Sequence, residues 1–126
     1  MPRRVVCIED EPEMIELMRL IVQRHGMEFF SARGGLKGIE IVKEVQPDLV
    51  LLDLMMPGMD GWTVFDRLRG DPNTARVPII IVTARAYHDP RVAEMRASNT
   101  GTLVTKPFAP AQLIEAIDHL LQLSSS

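Results

Sequence analysis

Short apolar runs rich in β-branched residues recur along the chain, at Val5-Val6-Cys7-Ile8, Leu49-Val50-Leu51-Leu52, Ile79-Ile80-Ile81-Val82 and Leu103-Val104. Continuous runs of this kind fit strands that are covered on both faces. Glu28-Phe29-Phe30-Ser31, between Gly26 and Gly34-Gly35, is a fifth and weaker candidate. Segments of helical period lie between the runs. The first carries Met14, Leu17, Met18, Ile21 and Val22 on one stripe, opened by Pro12 and closed by Gly26, and the last carries Leu113, Ala116, Ile117, Leu120 and Leu121 after Pro110. Leu36, Ile39 and Val42 mark a second helix, Gly61, Val64, Phe65 and Leu68 a third, and Val92 to Ala97 the least periodic one. Strands alternating with helices imply right-handed crossovers and a doubly wound parallel sheet, an α/β fold of (βα)5 form.

With 126 residues the chain is one domain by size, and a core can form without disulfides. Residues 1–123 are expected to form that domain and 124–126 a short Ser tail, with no effector domain following. The net charge of −3 is mild and the 14 Lys and Arg residues are scattered, so no nucleic-acid footprint is present. Cys7 stands alone inside an apolar run, which excludes an internal disulfide and favours a buried, inert thiol. No signal peptide or spanning segment is legible, so a cytoplasmic location without membrane contact is expected.

In an open parallel sheet, ligands gather outside the carboxyl ends of the strands. Glu9-Asp10-Glu11 follows the first predicted strand, Asp53 the third, Thr83 the fourth and Lys106 the fifth, so all fall on one edge. Crowded carboxylates raise each other's pKa unless a cation neutralises them. Mg²⁺ suits Asp10, Asp53 and a nearby backbone carbonyl, because it prefers oxygen ligands and keeps several waters. Lys106 and the Thr83 hydroxyl can each contact a phosphoryl oxygen. The set reads as a phosphoryl-transfer site with a carboxylate nucleophile.

Each residue alone has a plainer reading. Asp53 could close a turn or cap a helix, Thr83 could be a packed strand end, and Lys106 a solvated lysine. Glu9-Asp10-Glu11 could cap the first helix, and Glu11 is assigned only to the cap and its dipole, leaving Asp10 as the metal candidate. Of the eight Met residues, several fall at core spacing and read as packing. His25, His88 and His119 show no ligand spacing. Trp62 lies off its helix stripe near the site, and its fluorescence is expected to report Mg²⁺ or phosphoryl binding.

The strings Val5-Val6-Cys7-Ile8-Glu9-Asp10-Glu11-Pro12 and Pro47-Asp48-Leu49-Val50-Leu51-Leu52-Asp53-Leu54-Met55-Met56-Pro57-Gly58-Met59-Asp60-Gly61, with Thr83-Ala84 and Lys106-Pro107-Phe108, resemble the receiver domain of two-component response regulators. The single-domain, chemotaxis-regulator-like members are the nearest in form. The resemblance covers nearly the whole chain. It implies the flavodoxin-like strand order 2-1-3-4-5, Asp53 as phosphoacceptor, Asp10 as direct Mg²⁺ ligand, Glu9 as a ligand through water, and Met55 as donor of a backbone carbonyl. Thr83 resembles the switch hydroxyl and Lys106 its ionic partner, and the Lys106-Pro107 peptide is expected to be cis. The implied phosphoryl donor is a sensor histidine kinase or histidine phosphotransfer protein, and the implied output surface is the face formed by the fourth helix, fifth strand and fifth helix.

The chain departs from the family pattern at Leu103, where an aromatic residue usually pairs with Thr83, so a smaller rearrangement of the fourth strand, fourth helix and fifth strand is expected instead. Ala97-Ser98-Asn99-Thr100-Gly101-Thr102 lacks the usual Gly-Ala pair, so the turn there is expected to differ. Met55 and Arg85 occupy positions that tune phosphoryl lifetime in the family. The leading expectation is a binding switch rather than an enzyme, one that catalyses only its own phosphorylation and dephosphorylation. The alternatives are a degenerate receiver acting as a scaffold and an Asp-nucleophile phosphatase, the latter disfavoured because Met55 replaces its second Asp.

Overall fold

The computed structural model describes residues 2–84 and 89–124, with backbone alone for 123 and 124. Arg85, His88 and the last two serines of the expected tail lie outside the described residues. The order is β1 (Arg4–Ile8), α1 (Pro12–Arg24), β2 (Glu28–Ala32), α2 (Gly35–Val45), β3 (Leu49–Asp53), α3 (Gly61–Gly70), β4 (Ile79–Thr83), α4 (Pro90–Ala97), β5 (Gly101–Thr105) and α5 (Pro110–Ser124). The strands form one parallel sheet in the order β2-β1-β3-β4-β5, as expected. The last helix takes in Ser124.

Strand alternation sorts the apolar runs into two cores. Val5, Cys7, Leu49, Leu51, Ile80 and Val82 face α1 and α5, whereas Val6, Ile8, Val50, Leu52, Ile79 and Ile81 face α2, α3 and α4. Met18, Met27, Met56 and Met95 are buried in these layers, in keeping with a packing role. Cys7 is fully buried with its Sγ 3.8 Å from Met18 Sδ, and burial pushes its thiol pKa up, away from reactivity. Among the described residues no helix is long and apolar enough to cross a membrane.

Three local expectations are corrected. The α1 stripe runs through Ile15, Met18, Ile21 and Val22, and Leu17 points outward, being one step of about 100° around the helix from Met18. On α2, Leu36 is 62% exposed, because the inward face is made by Gly35, Gly38, Ile39 and Val42. A Cβ on Gly38 would stand 2.7 Å from the Ile8 side chain, so this helix packs closely on β1 only through glycine, which an apolar pattern does not reveal. Glu11 occupies the N-cap of α1, yet its side chain makes no capping hydrogen bond; its charge near the helix start is what remains of that role.

The turn into β5 is formed by Ser98, Asn99 and Thr100. Asn99 takes the left-handed conformation, with φ of 59°, and Ser98 Oγ donates to the Glu94 carbonyl at 2.8 Å. His25 pairs with Asp118 at 2.9 Å, and His119 is exposed.

Candidate functional site

Register sets the site. β1 pairs with β3 up to Ile8↔Leu52, so Glu9 and Asp53 follow at one level. Asp53 is opposite Val82 on β4, and Thr83 is opposite Thr105 on β5, which places Lys106 just beyond. The β1–β3 boundary is where the connections reverse direction, the usual place for a crevice in such a sheet.

At this edge Glu9 is fully buried and Asp53 is 3% exposed. Lys106 Nζ donates to Glu9 Oε1 at 2.7 Å and lies 3.8 Å from Asp53 Oδ1. The Asp10 amide donates to Glu9 Oε2 at 3.0 Å, and the Met55 amide donates to Asp53 Oδ1 at 3.1 Å. The Lys106 amide donates to the Thr83 carbonyl at 2.7 Å, which ties the chain after β5 to the end of β4. The Lys106-Pro107 peptide is cis, as the resemblance implied.

Burial pushes the Glu9 carboxyl up to about 6; the neighbouring Asp53 carboxylate adds to the rise and Lys106 opposes it. Burial works against the Lys106 ammonium, but the hydrogen bond to Glu9 and the charges of Glu9 and Asp53 outweigh it and hold its pKa above the usual lysine value. The proton on Lys106 is thus secure at neutral pH, whereas Glu9 titrates close to it.

Of the residues singled out in the sequence, Glu9, Asp53 and Lys106 come into one charged cluster, with the Met55 backbone bound to it. Asp10 stands at the rim, partly exposed, and its carbonyl accepts from Arg33 Nε at 3.2 Å. Thr83 ends β4 and is fully buried. The sequence placed Glu9 behind Asp10, yet it is Glu9 that the lysine holds. Arg33 was not foreseen, since a lone arginine after β2 carries no spacing signal.

The donor set suits a hard divalent ion. Two buried carboxylates, Glu9 and Asp53, share the single ammonium of Lys106 at the ends of β1 and β3, and Asp10 follows Glu9 at the rim, so oxygen donors outnumber the cation there. Among the described residues no three His, Cys, Asp or Glu side chains converge closely enough to hold an ion alone. The expected set does not require that, as it uses two carboxylates directly and completes the shell with the Met55 carbonyl and water.

Residues 5–118 match the family described as the response regulator receiver domain. The DNA-binding dual master transcriptional regulator RpaA of Synechocystis is 34% identical over 94% of this chain and 49% of its own length. The polar-differentiation response regulator DivK of Brucella anthropi is 30% identical over 96% of this chain and 98% of its own. The chain therefore spans about half the length of the DNA-binding relative and nearly all of the other. A solved receiver domain of a Pseudomonas aeruginosa sensor histidine kinase shares the fold with a TM-score of 0.82 at 22% identity, covering 97% of this chain and 99% of its own. That domain is described with a magnesium ion coordinated in its active site cleft.

Proposed function

The chain belongs to the response regulator receiver domain family and is a phosphoacceptor signalling switch; we propose that Asp53 is its acceptor, working with Thr83 and Lys106. The observation that carries this reading is the buried Asp53 carboxylate at the carboxyl end of β3, within 3.8 Å of the Lys106 ammonium. An Asp53 oxygen forms a bond to phosphorus as the bond from phosphorus to the donor's histidine nitrogen breaks, leaving an acyl phosphate. Met55 N–H holds one oxygen of the nucleophile in place, and Lys106 and Thr83 meet the phosphoryl oxygens.

Asp10, Asp53 and the Met55 carbonyl would hold Mg²⁺, with Glu9 reaching it through water. When bound, the ion supplies the positive charge that offsets the phosphoryl group and the surrounding carboxylates. The donor is a sensor histidine kinase or histidine phosphotransfer protein of the same cytoplasmic compartment. Phosphorylation shifts an existing equilibrium toward the form a downstream protein prefers. That protein docks on the α4-β5-α5 face, where a cavity of about 1270 Å³ is lined by Arg96, Thr102, Val104 and Ile114 among others. Nucleic acid and membrane are not direct partners in this reading.

Incubation with acetyl phosphate and Mg²⁺, followed by intact-mass measurement, tests the proposal. The wild-type chain is expected to gain one phosphoryl group, and neither Asp53→Asn nor a chelator-treated sample is expected to do so. An unmodified wild type, or an Asp53→Asn variant modified to the same extent, contradicts it.

A further inference from the structure

The helix that follows Asp53 is seated directly on the acceptor's backbone. A Cβ on Gly61 would lie 2.5 Å from Leu54 Cα and 2.6 Å from the Asp53 carbonyl oxygen, and the Gly61 amide donates to the Leu54 carbonyl at 3.2 Å. Asp60 caps this helix by accepting from the Trp62 amide at 2.9 Å. The first turn of α3 therefore has little freedom to move independently of the strand end that carries Asp53.

Trp62, in that first turn, meets the first turn of α4. Its ring sits edge-on to Phe65 at 5.3 Å and 84°, and the guanidinium of Arg91 lies over its face at 4.5 Å. Arg91 Nη1 also reaches both Asp66 oxygens at 3.3 and 3.2 Å, and its Nε lies 3.3 Å from Asp89, the residue that caps α4. One arginine thus joins the start of α4 to two positions on α3. α4 is eight residues long and buries Val92 and Met95 alone, so a side-chain tie at its start has much influence on its position. Leu103 of β5, aliphatic and partly buried, packs against the same core cluster as Trp62.

We infer that Trp62 and Arg91 form the contact through which a change at Asp53 reaches α4, so that the aromatic output element of this chain stands on α3 rather than on β5. The inference rests on Asp53 being the acceptor. Arg91 is a positioning residue here, touching neither the acceptor nor the phosphoryl group. A single cation-over-ring contact, flanked by one exposed and one partly buried ion pair, is weak enough to be remade when the acceptor is loaded, and it joins the first turns of α3 and α4.

Beryllofluoride with Mg²⁺, as a phosphoryl mimic, separates the possibilities when amide resonances and the fluorescence of the single Trp are followed together. In the wild type, the Met55, Val92 and Met95 amides and the Trp62 emission are expected to shift. In Arg91→Ala the Met55 shift is expected to persist, while the Val92 and Met95 shifts fall by at least half and the emission change is lost. Trp62→Phe, which keeps a weaker ring under Arg91, is expected to give intermediate α4 shifts. Val92 and Met95 shifts equal to wild type in both variants overturn the inference. A wild type in which Met55 itself does not respond overturns the acceptor reading instead.

Discussion

Lys106 is bound more closely to Glu9, at 2.7 Å, than to Asp53, at 3.8 Å, so one ammonium is shared unequally by two buried carboxylates. Removing it leaves both without their cation, and breaking such a buried pair costs about 3–5 kcal/mol. Lys106→Ala is therefore expected to lose stability of that order at neutral pH, with part of the loss recovered near pH 5 as Glu9 takes up a proton. Urea unfolding at both pH values checks this; an equal loss at each would show that the carboxylates are not the cause.

The raised pKa of Glu9 gives a second expectation, for metal-free buffer. Its folded value of about 6 lies above the 4.5 of an ordinary glutamate, so between these values the folded chain binds more protons than the unfolded one. Stability from this group therefore grows as pH falls through 6, and the cost of burying the ionised form is present above it, on the order of 2 kcal/mol. The stability of the wild type relative to Glu9→Gln should rise by that order between pH 7.5 and about pH 4.5. A difference that stays flat, or falls on acidification, rules out burial of the ionised carboxyl as its origin.

Arg69 predicts a purely structural effect. Its guanidinium donates to the carbonyls of Val77 at 2.6 Å, Ala75 at 3.2 Å and Thr100 at 3.1 Å, and stacks on Phe65 at 5.1 Å. It joins the segments that lead into β4 and β5. Arg69→Ala should cost about 3 kcal/mol through lost charge-assisted hydrogen bonds, and Arg69→Lys should recover less than half, since an ammonium cannot span three carbonyls with a planar fork. Thermal unfolding of the two variants decides it, and full recovery by lysine would show that charge alone matters.

The Met55 side chain gives a prediction about the lifetime of the acyl phosphate. Met55 is 50% exposed beside the acceptor, and its side chain is a thioether, which has no donor and only a weak acceptor with which to orient an attacking water. Self-hydrolysis of the acyl phosphate is expected to be slow, on a scale of minutes or longer, and faster in Met55→Asn. A half-life of seconds for the wild type would show that another group positions the water.

The sheet and its carboxyl-edge residues were legible because strand periodicity and the residue after each strand are local properties. Asp53, Thr83 and Lys106 needed nothing more than the ends of Leu49–Leu52, Ile79–Val82 and Leu103–Val104. What was hidden depends on approach distances and on which way a helix turns. Leu17 and Leu36 look like core residues by type, yet Ile15 and the glycines of α2 take the inward positions. The unequal hold of Lys106 on Glu9 rather than Asp53, and the meeting of Trp62 with Arg91, join residues far apart in sequence through side chains whose direction no spacing encodes.

The central claim is that Asp53 itself carries the phosphoryl group, and locating the modified residue tests it most directly. Borohydride reduces an acyl phosphate to an alcohol, so treatment of the phosphorylated chain followed by peptide sequencing in a mass spectrometer marks the acceptor. Homoserine at position 53, with Asp10 and Asp60 intact, is the expected result. Conversion at Asp10 or Asp60 instead, or at no aspartate, would contradict the account.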